Sequence, residues 1–203
     1  MLREIDFSDC LQSGKVEKTA ESLARLCTLV RDCPFEHVKY ERHYSYGELI
    51  NDFVKRRRGA CSVKHYFLGE ALINRQFKVR YITTPFLWKD MPIDYPTHLK
   101  RLADLMPVQL HLSLEAESNG ITVPIDVTWD KELKRAGFPI NHFENGINAS
   151  VLAVKPADES VTHESGIDRF LFIESVKSKM KPTGIEPSFY EELNLWLNDT
   201  RLN

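Results

Sequence analysis

The sequence predicts a mixed α+β fold in which helices lead into antiparallel strands, and three observations carry that prediction. From residue 15 to 31 the apolar residues Val16, Ala20, Leu23, Ala24, Cys27 and Val30 recur at helical spacing and draw one buried stripe. Over 77–84 the period changes to two: Phe77, Val79, Tyr81 and, less cleanly, Ile82 alternate with polar residues. Two further alternating runs, 108–117 and 121–129, flank Asn119-Gly120, a dipeptide suited to the positive φ values of a tight hairpin turn.

Taken in order, the 15–31 helix is stopped by Pro34, and the turn-prone HYSYG leads into a second short helix over 48–57 with Leu49, Ile50, Phe53 and Val54. A third helix begins at Cys61 and continues through Phe67, Leu68, Ala71 and Leu72 to about Asn74. After the 77–84 strand, TTPFLWKDMPIDYPTH holds three prolines and three large aromatics, so it reads as an irregular segment that either walls a cleft or packs as a loop. A helix is expected over 97–106. On the 108–117 strand Leu110, Leu112 and Leu114 share one face and Gln109, His111 and Ser113 the other, so His111 is expected to face away from the leucine layer. Beyond Trp129 the expectations are a helical turn over 130–136, a strand in INASVLAVKP, and either a strand or a helix in SGIDRFLFIESVKSK. Ser188 and Glu191 read as a capping box ahead of a closing helix with Leu193, Trp196 and Leu197. No linker divides the chain, so one domain over 1–203 is expected.

Composition narrows the function. The net charge of the 203 residues is -2, from 27 basic and 29 acidic side chains, which calls for neither nucleic acid nor an anionic membrane as partner. No signal-peptide core or membrane span is visible, so a cytoplasmic protein is expected. Cysteines at 10, 27, 33 and 61 form no CxxC pair, which suits free thiols in a reducing compartment. Cys27, Cys33 and His37 lack a matching second half for zinc, and no metal or cofactor is expected. The triplets Asn148-Ala149-Ser150 and Asn198-Asp199-Thr200 match the glycosylation pattern and are read as chance matches without a secretory signal.

The chemistry centres on Cys61. As the first residue of a helix, its sulfur lies beside backbone N–H groups with no intrahelical partner, and the helix dipole favours thiolate. Gly59 permits a backbone turn two residues earlier, and Arg56, Arg57 and Arg58 add positive charge, though a solvated helix end is an equally good reading of that run. A cysteine nucleophile needs a base, and the base needs an orienting group. His111 and Asp126 stand on adjacent strands of the expected hairpin, within about one diagonal step, roughly 5–8 Å between Cβ atoms. His65, four residues after Cys61, competes for the role of base, but no aspartate is evidently placed to orient it. The Cys61 backbone N–H supplies one oxyanion donor, and Tyr44, Tyr46 and Asn51 are candidates for the second.

Together, Gly59 and Cys61 at a helix start, Ala71 within that helix, Arg80 in the next strand, His111 on a strand, and Asp126, Thr128 and Trp129 as Asp-x-Thr-Trp resemble the transglutaminase-like core of the papain-like cysteine enzymes. The resemblance covers about residues 45–130, leaving a helical N-terminal segment, 1–44, and a C-terminal extension, 131–203. It implies an α+β fold with the cysteine helix packed on an antiparallel sheet or partial barrel. It also implies a Cys61-His111-Asp126 triad, a covalent thioester, and acyl transfer from a peptide, protein or small amide substrate to water or an amine. Ser113 stands where the family often has an aromatic residue. Without calcium-site acidic clusters, hydrolysis or small-scale acyl transfer is favoured over protein cross-linking. Two alternatives stay open: an arylamine N-acetyltransferase, whose Arg-Gly-Gly-x-Cys motif is not matched by Arg58-Gly59-Ala60-Cys61, and a non-catalytic binding module that keeps the triad residues.

Overall fold

A computed structural model describes residues 7–11, 19–40, 43–118, 120–143, 150–179 and 183–202. Four helices come first: α1 (Phe7–Cys10), α2 (Ala20–Arg31), α3 (Tyr46–Arg56) and α4 (Cys61–Ile73). Then follow β1 (Lys78–Phe86), α5 (Thr97–Leu105), β2 (Gln109–Ser118), β3 (Ile121–Ile125), β4 (Val161–His163), α6 (Gly166–Lys179) and α7 (Glu186–Leu202). The fold is α+β, with an antiparallel sheet in the order β3-β2-β1-β4 among the described residues.

Helix starts follow from local chemistry. Thr19 caps α2 through the Ser22 N–H, and Ser45 with Glu48 forms a reciprocal capping box at α3, so each satisfies donors that the helix itself cannot. The α2 helix is shorter than its apolar stripe; residues 15–18 lie outside the described residues. At the other end of the chain the expected Ser188–Glu191 box is displaced: α7 begins at Glu186, whose carboxylate accepts from Thr183 Oγ1 at 2.8 Å. Pro187 is tolerated there because the first turn needs no N–H from it.

The α4 helix lies against β1 and β2 at the centre of the main core. Its Phe67, Leu68, Ala71 and Leu72 are fully buried with Leu112, Leu114, Val79 and Tyr81, and each large side chain so buried contributes about 2 kcal/mol. Gly69 is required here for close approach, since a Cβ would overlap the Tyr81 hydroxyl. A second apolar cluster joins Trp88, Trp129 and Phe138 to Phe189, Leu193 and Leu197 of α7. The Pro- and aromatic-rich segment therefore packs: β1 runs on through Pro85 to Phe86, a 3-10 turn spans Trp88–Asp90, and Trp88 is buried.

Two expected strands are cut short, for one reason. The β3 strand ends at Ile125 because the backbone of the next residues bonds elsewhere: Val127 N–H to His65, Thr128 N–H to Asp126, and Thr128 C=O to Lys64. In INASVLAVKP, residues 147–149 lie outside the described residues, and the remainder is not a strand apart from one bridge between Phe86 and Pro156. Val151 exchanges both backbone groups with the Asn141 side chain, and Ala153 spends its own on Asp126 and Trp129. These apolar residues look like a strand, but side chains satisfy their backbone. The 3-10 turn Lys131–Ala136 matches the expected helical turn, and the ambiguous SGIDRFLFIESVKSK contains α6. In the 119–120 turn, Asn119 lies outside the described residues and Gly120 has φ 78°.

Candidate active site

The α4 helix starts at Cys61, after Ala60 in an extended conformation with no capping side chain. The sulfur thus sits at a helix N-terminus with its donors open, as the sequence predicted. Gly59 is needed for a different reason than expected: its φ is not positive, but a Cβ would overlap Val63 Cγ2, and its N–H and C=O bond Pro34 and Glu36. The arginine run is also engaged elsewhere. Arg56 pairs with Asp52 at 2.8 Å, Arg58 with Glu36 at 3.1 Å, and Arg57 caps α3 at φ 56° with its guanidinium over the Phe7 ring. Arg80 likewise belongs to the surface, 2.7 Å from Glu115.

His111 is brought to Cys61 by the sheet. Continuing the register Leu114↔Ile125 places Asp126 opposite Ser113, two residues from His111. His111 Nε2 donates to Asp126 Oδ2 at 2.8 Å, so Nδ1 is the nitrogen left for the interaction of His111 with the Cys61 thiol. Because β3 has peeled away, β2 residues before Leu114 have no partner on that side, and the Leu112 N–H also points at the sulfur. Both faces of β2 are buried here: His111 is 1% exposed, between the rings of Phe86 and His65. The polar face of this strand is an interior site rather than a solvated one.

Asp126 is held on all sides. Oδ2 accepts from His111 and from Ala153 N–H at 2.8 Å; Oδ1 accepts from Thr128 N–H at 3.1 Å and Thr128 Oγ1 at 2.6 Å. Burial alone would raise its pKa, but the His111 charge and hydrogen bond, with His65 and Thr128, hold the carboxyl well below the usual carboxylate range. Burial alone would likewise discharge His111, yet Asp126 and the sulfur push its pKa up to about 10. For Cys61 burial works against ionisation and is outweighed by the His111 hydrogen bond and charge, the Leu112 N–H and the Arg169 charge, so its pKa lies below the ordinary thiol value. The three shifts point the same way, each toward the charged form of its group.

His65 has another place. Its Nδ1 donates to the Cys61 carbonyl at 2.8 Å and its Nε2 accepts from the Val127 N–H at 3.1 Å, which fixes a neutral ring. Burial holds its pKa down to about 4. It splices the cysteine helix to the segment carrying Asp126, with both nitrogens used. Neighbouring Lys64 makes the same kind of splice, its buried ammonium donating to the carbonyls of Arg31, Cys33 and Thr128 at 3.1, 2.8 and 2.8 Å. Three donors meet three acceptors, and burial lowers its pKa to about 8.

Cys61 is half-buried, and its chain neighbours Ala60 and Ser62, with Gln109 and Leu110 before His111, line a cavity of about 570 Å³ whose lining includes neither Cys61 nor His111 itself. Tyr190 and Gln109 are joined across this wall by a 2.8 Å hydrogen bond, and His37 stacks on Tyr190 with ring centroids 3.5 Å apart. Of the three expected oxyanion donors, Tyr46 spends its hydroxyl on Glu70 at 2.6 Å and Asn51 is exposed, while Tyr44 lies on the cavity wall. Sequence reasoning did not reach Arg169, Tyr190, Gln109 or Ala153. The first three carry no motif, and Ala153 acts only through its backbone.

No protein-family model matches the chain, and no curated protein sequence is similar to it. Among solved structures the chain is similar to "a Putative Cysteine Protease from Cytophaga hutchinsonii", at 13% identity and a TM-score of 0.42, over 77% of this chain and 47% of that one. The chain therefore spans under half the length of that protein.

Proposed function

We propose that this chain is a cysteine-nucleophile acyl hydrolase or acyltransferase with a transglutaminase-like, papain-like core, acting on an amide through a thioester. One observation carries the reading: His111 is held at Nε2 by the buried Asp126 carboxylate at 2.8 Å, which leaves its other nitrogen for the Cys61 thiol with which it interacts. In the first half-reaction the Cys61 thiolate attacks the carbonyl carbon. His111 Nδ1–H protonates the departing amine nitrogen as the C–N bond breaks, leaving the acyl group on sulfur. Water or an amine then gives its proton to the same Nδ1, attacks the thioester, and expels the thiolate. Asp126 stays ionised and keeps the proton on Nε2, so Nδ1 is always the exchanging nitrogen. The Cys61 backbone N–H is aimed at the developing oxyanion by the helix start.

On this reading the core over 45–130 is completed within one domain by the C-terminal segment, since Ala153 N–H holds Asp126. The test is iodoacetamide labelling of each cysteine between pH 6 and 9, with a panel of amide, ester and acyl-CoA substrates. Cys61 alkylated at pH 6.5 at least tenfold faster than an ordinary thiol, together with turnover of an amide, is expected. A Cys61 no more reactive than free cysteine, with no turnover, defeats the reading in favour of a binding module.

A further inference from the structure

Among the described residues the buried cations find carboxylate or backbone-carbonyl partners, with one exception. Arg31 meets Asp32 at 2.7 Å, Asp130 receives Arg201 at 2.8 Å, and Lys64 is enclosed by three carbonyls. Arg169, on the first turn of α6, is 2% exposed; its hydrogen-bond partners are hydroxyls alone, and its guanidinium lies 5.5 Å from the centroid of the Tyr66 ring. Nε donates to Thr83 Oγ1 at 3.3 Å, and Nη1 donates to Ser62 Oγ at 3.1 Å and to the Tyr66 hydroxyl at 2.7 Å. No carboxylate partners it among the described residues, and Nη2 has no hydrogen-bond partner among them. A guanidinium taken out of water without an opposite charge costs several kcal/mol. Three neutral dipoles offset that only in part, and they hold the fork rigidly.

The fork is held at the wall of the cavity beside Cys61. Ser62, which receives Nη1, is the residue after the nucleophile, and both Ser62 and Arg169 line the cavity. Lys39 and Lys177 also line it; among the described residues the one acidic side chain on the wall, Glu174, faces His43 at 3.2 Å and Lys177 at 3.7 Å. With Nε and both Nη1 hydrogens already donated, the guanidinium offers its Nη2 hydrogens, fixed in plane on a wall that also carries two lysines, to a carboxylate.

We propose that Arg169 seats a carboxylate of the acyl substrate, so that the site takes amides whose acyl portion carries an anionic carboxylate close to the scissile carbonyl. The inference deepens the catalytic reading above and rests on it. The carboxylate comes either from a chain terminus or from an acidic side chain. Arg169 also adds positive potential at the sulfur. That effect speeds neutral and anionic reagents alike and cancels in their ratio.

The test uses matched alkylating probes, in which the Cys61 thiolate displaces iodide and a C–S bond replaces the C–I bond. Iodoacetylglycine presents a terminal carboxylate, iodoacetyl-aspartic acid α-amide a side-chain carboxylate, and iodoacetylglycinamide neither. At low salt, Cys61 is expected to prefer one carboxylate probe over the neutral one by about tenfold relative to free cysteine, the scale of one charge-assisted hydrogen-bonded pair. Whichever anionic probe gains identifies the source. Arg169→Gln should erase the preference, and it should slow the neutral probe as well through the lost positive potential at the sulfur, so the readout is the ratio between probes. Because Arg169 also ties together Ser62, Tyr66 and Thr83, a second measurement uses the unaltered protein: glutarate should protect Cys61 from the neutral probe, and glutaramide should not. Rapid alkylation by all three probes at equal relative rates, or a preference that survives Arg169→Gln, overturns the carboxylate site and leaves the triad standing. Alkylation no faster than free cysteine with every probe overturns the catalytic reading itself and this inference with it.

Discussion

Replacing Asp126 by asparagine tests the arrangement most directly, because the carboxylate accepts from four donors and offers none. His111 Nε2 and the Ala153 N–H meet one oxygen, while the Thr128 N–H and hydroxyl meet the other. In Asp126→Asn the amide nitrogen must replace one oxygen, so a backbone N–H, that of Ala153 or of Thr128, faces another N–H. An orphaned buried donor costs about 1–3 kcal/mol, and losing the charge-assisted bond to His111 adds about 1 kcal/mol, so a loss of about 2–4 kcal/mol is expected. For a chain of this size that lowers Tm by roughly 5–15 °C. The effect on chemistry is larger. If the amide nitrogen faces His111, the imidazole is held in the tautomer that puts a proton on Nδ1 toward the sulfur, and a wrong tautomer in a comparable triad costs about 10⁴-fold in turnover. If the oxygen stays, the imidazolium still loses its counter-charge. Either way the thiol returns toward about 8.5, where about 1% is ionised at pH 6.5; allowing for the greater intrinsic nucleophilicity of a more basic thiolate, alkylation falls about ten- to hundredfold. The assay is iodoacetamide consumption against pH on protein checked for folding by near-UV circular dichroism. A folded Asp126→Asn protein alkylated at pH 6.5 within twofold of the parent rate would falsify the claim that this carboxylate supports the ion pair.

Three further outcomes are expected. His111→Ala should return Cys61 alkylation to the pH profile of an ordinary thiol, whereas His65→Ala should keep most low-pH reactivity and cost about 2–4 kcal/mol of stability through two lost buried hydrogen bonds; the opposite pattern would reverse the two roles. Arg201→Met leaves Asp130, which also holds the Phe35 N–H at 2.8 Å, buried without its cation and should destabilise by about 3–5 kcal/mol, read from urea midpoints; a change under 1 kcal/mol would contradict the pairing. Stability should also fall in acid. His65 has its pKa lowered from 6.5 to about 4, so the unfolded chain binds the extra proton between those values, and stability present above pH 6.5 is lost toward pH 4 by about 3 kcal/mol. Asp126, also lowered, contributes in the same direction at lower pH. His111, raised to about 10, contributes stability that is full below pH 6.5 and lost as pH rises through 10, while the lowered Cys61 has the opposite slope. A His65→Asn protein whose urea midpoint drops as much as the parent's between pH 6.5 and 4.5 would show that another group carries the acid loss.

The elements legible in advance were those whose signal is local. The helical stripe of α2, the alternation in β1 and the Asn-Gly turn each depend on neighbours within one or two turns of chain, and all three correspond to observed elements. The start of α4 at Cys61 was legible for the same reason, as was the diagonal relation of His111 and Asp126 once a hairpin was assumed. The errors occur where backbone groups leave the ladder for distant side chains. Val151 to Val154 carry strand-like residues, but Asn141, Asp126 and Trp129 take up the backbone groups that a strand would have paired. The charge at the sulfur was misassigned for a related reason. Arg56, Arg57 and Arg58 are close in sequence and engaged elsewhere, whereas Arg169, more than a hundred residues on, faces the residue beside the nucleophile.

Periodicity, turn chemistry and a cysteine at a helix start were enough for the sequence alone to determine an α+β chain with a nucleophile candidate and its base. Tertiary structure shows what separates His65 from His111, since packing spends both nitrogens of the His65 ring on backbone groups while His111 bonds Asp126. It also decided what charge surrounds the thiol, since buried ion pairing depends on three-dimensional proximity that no local pattern encodes.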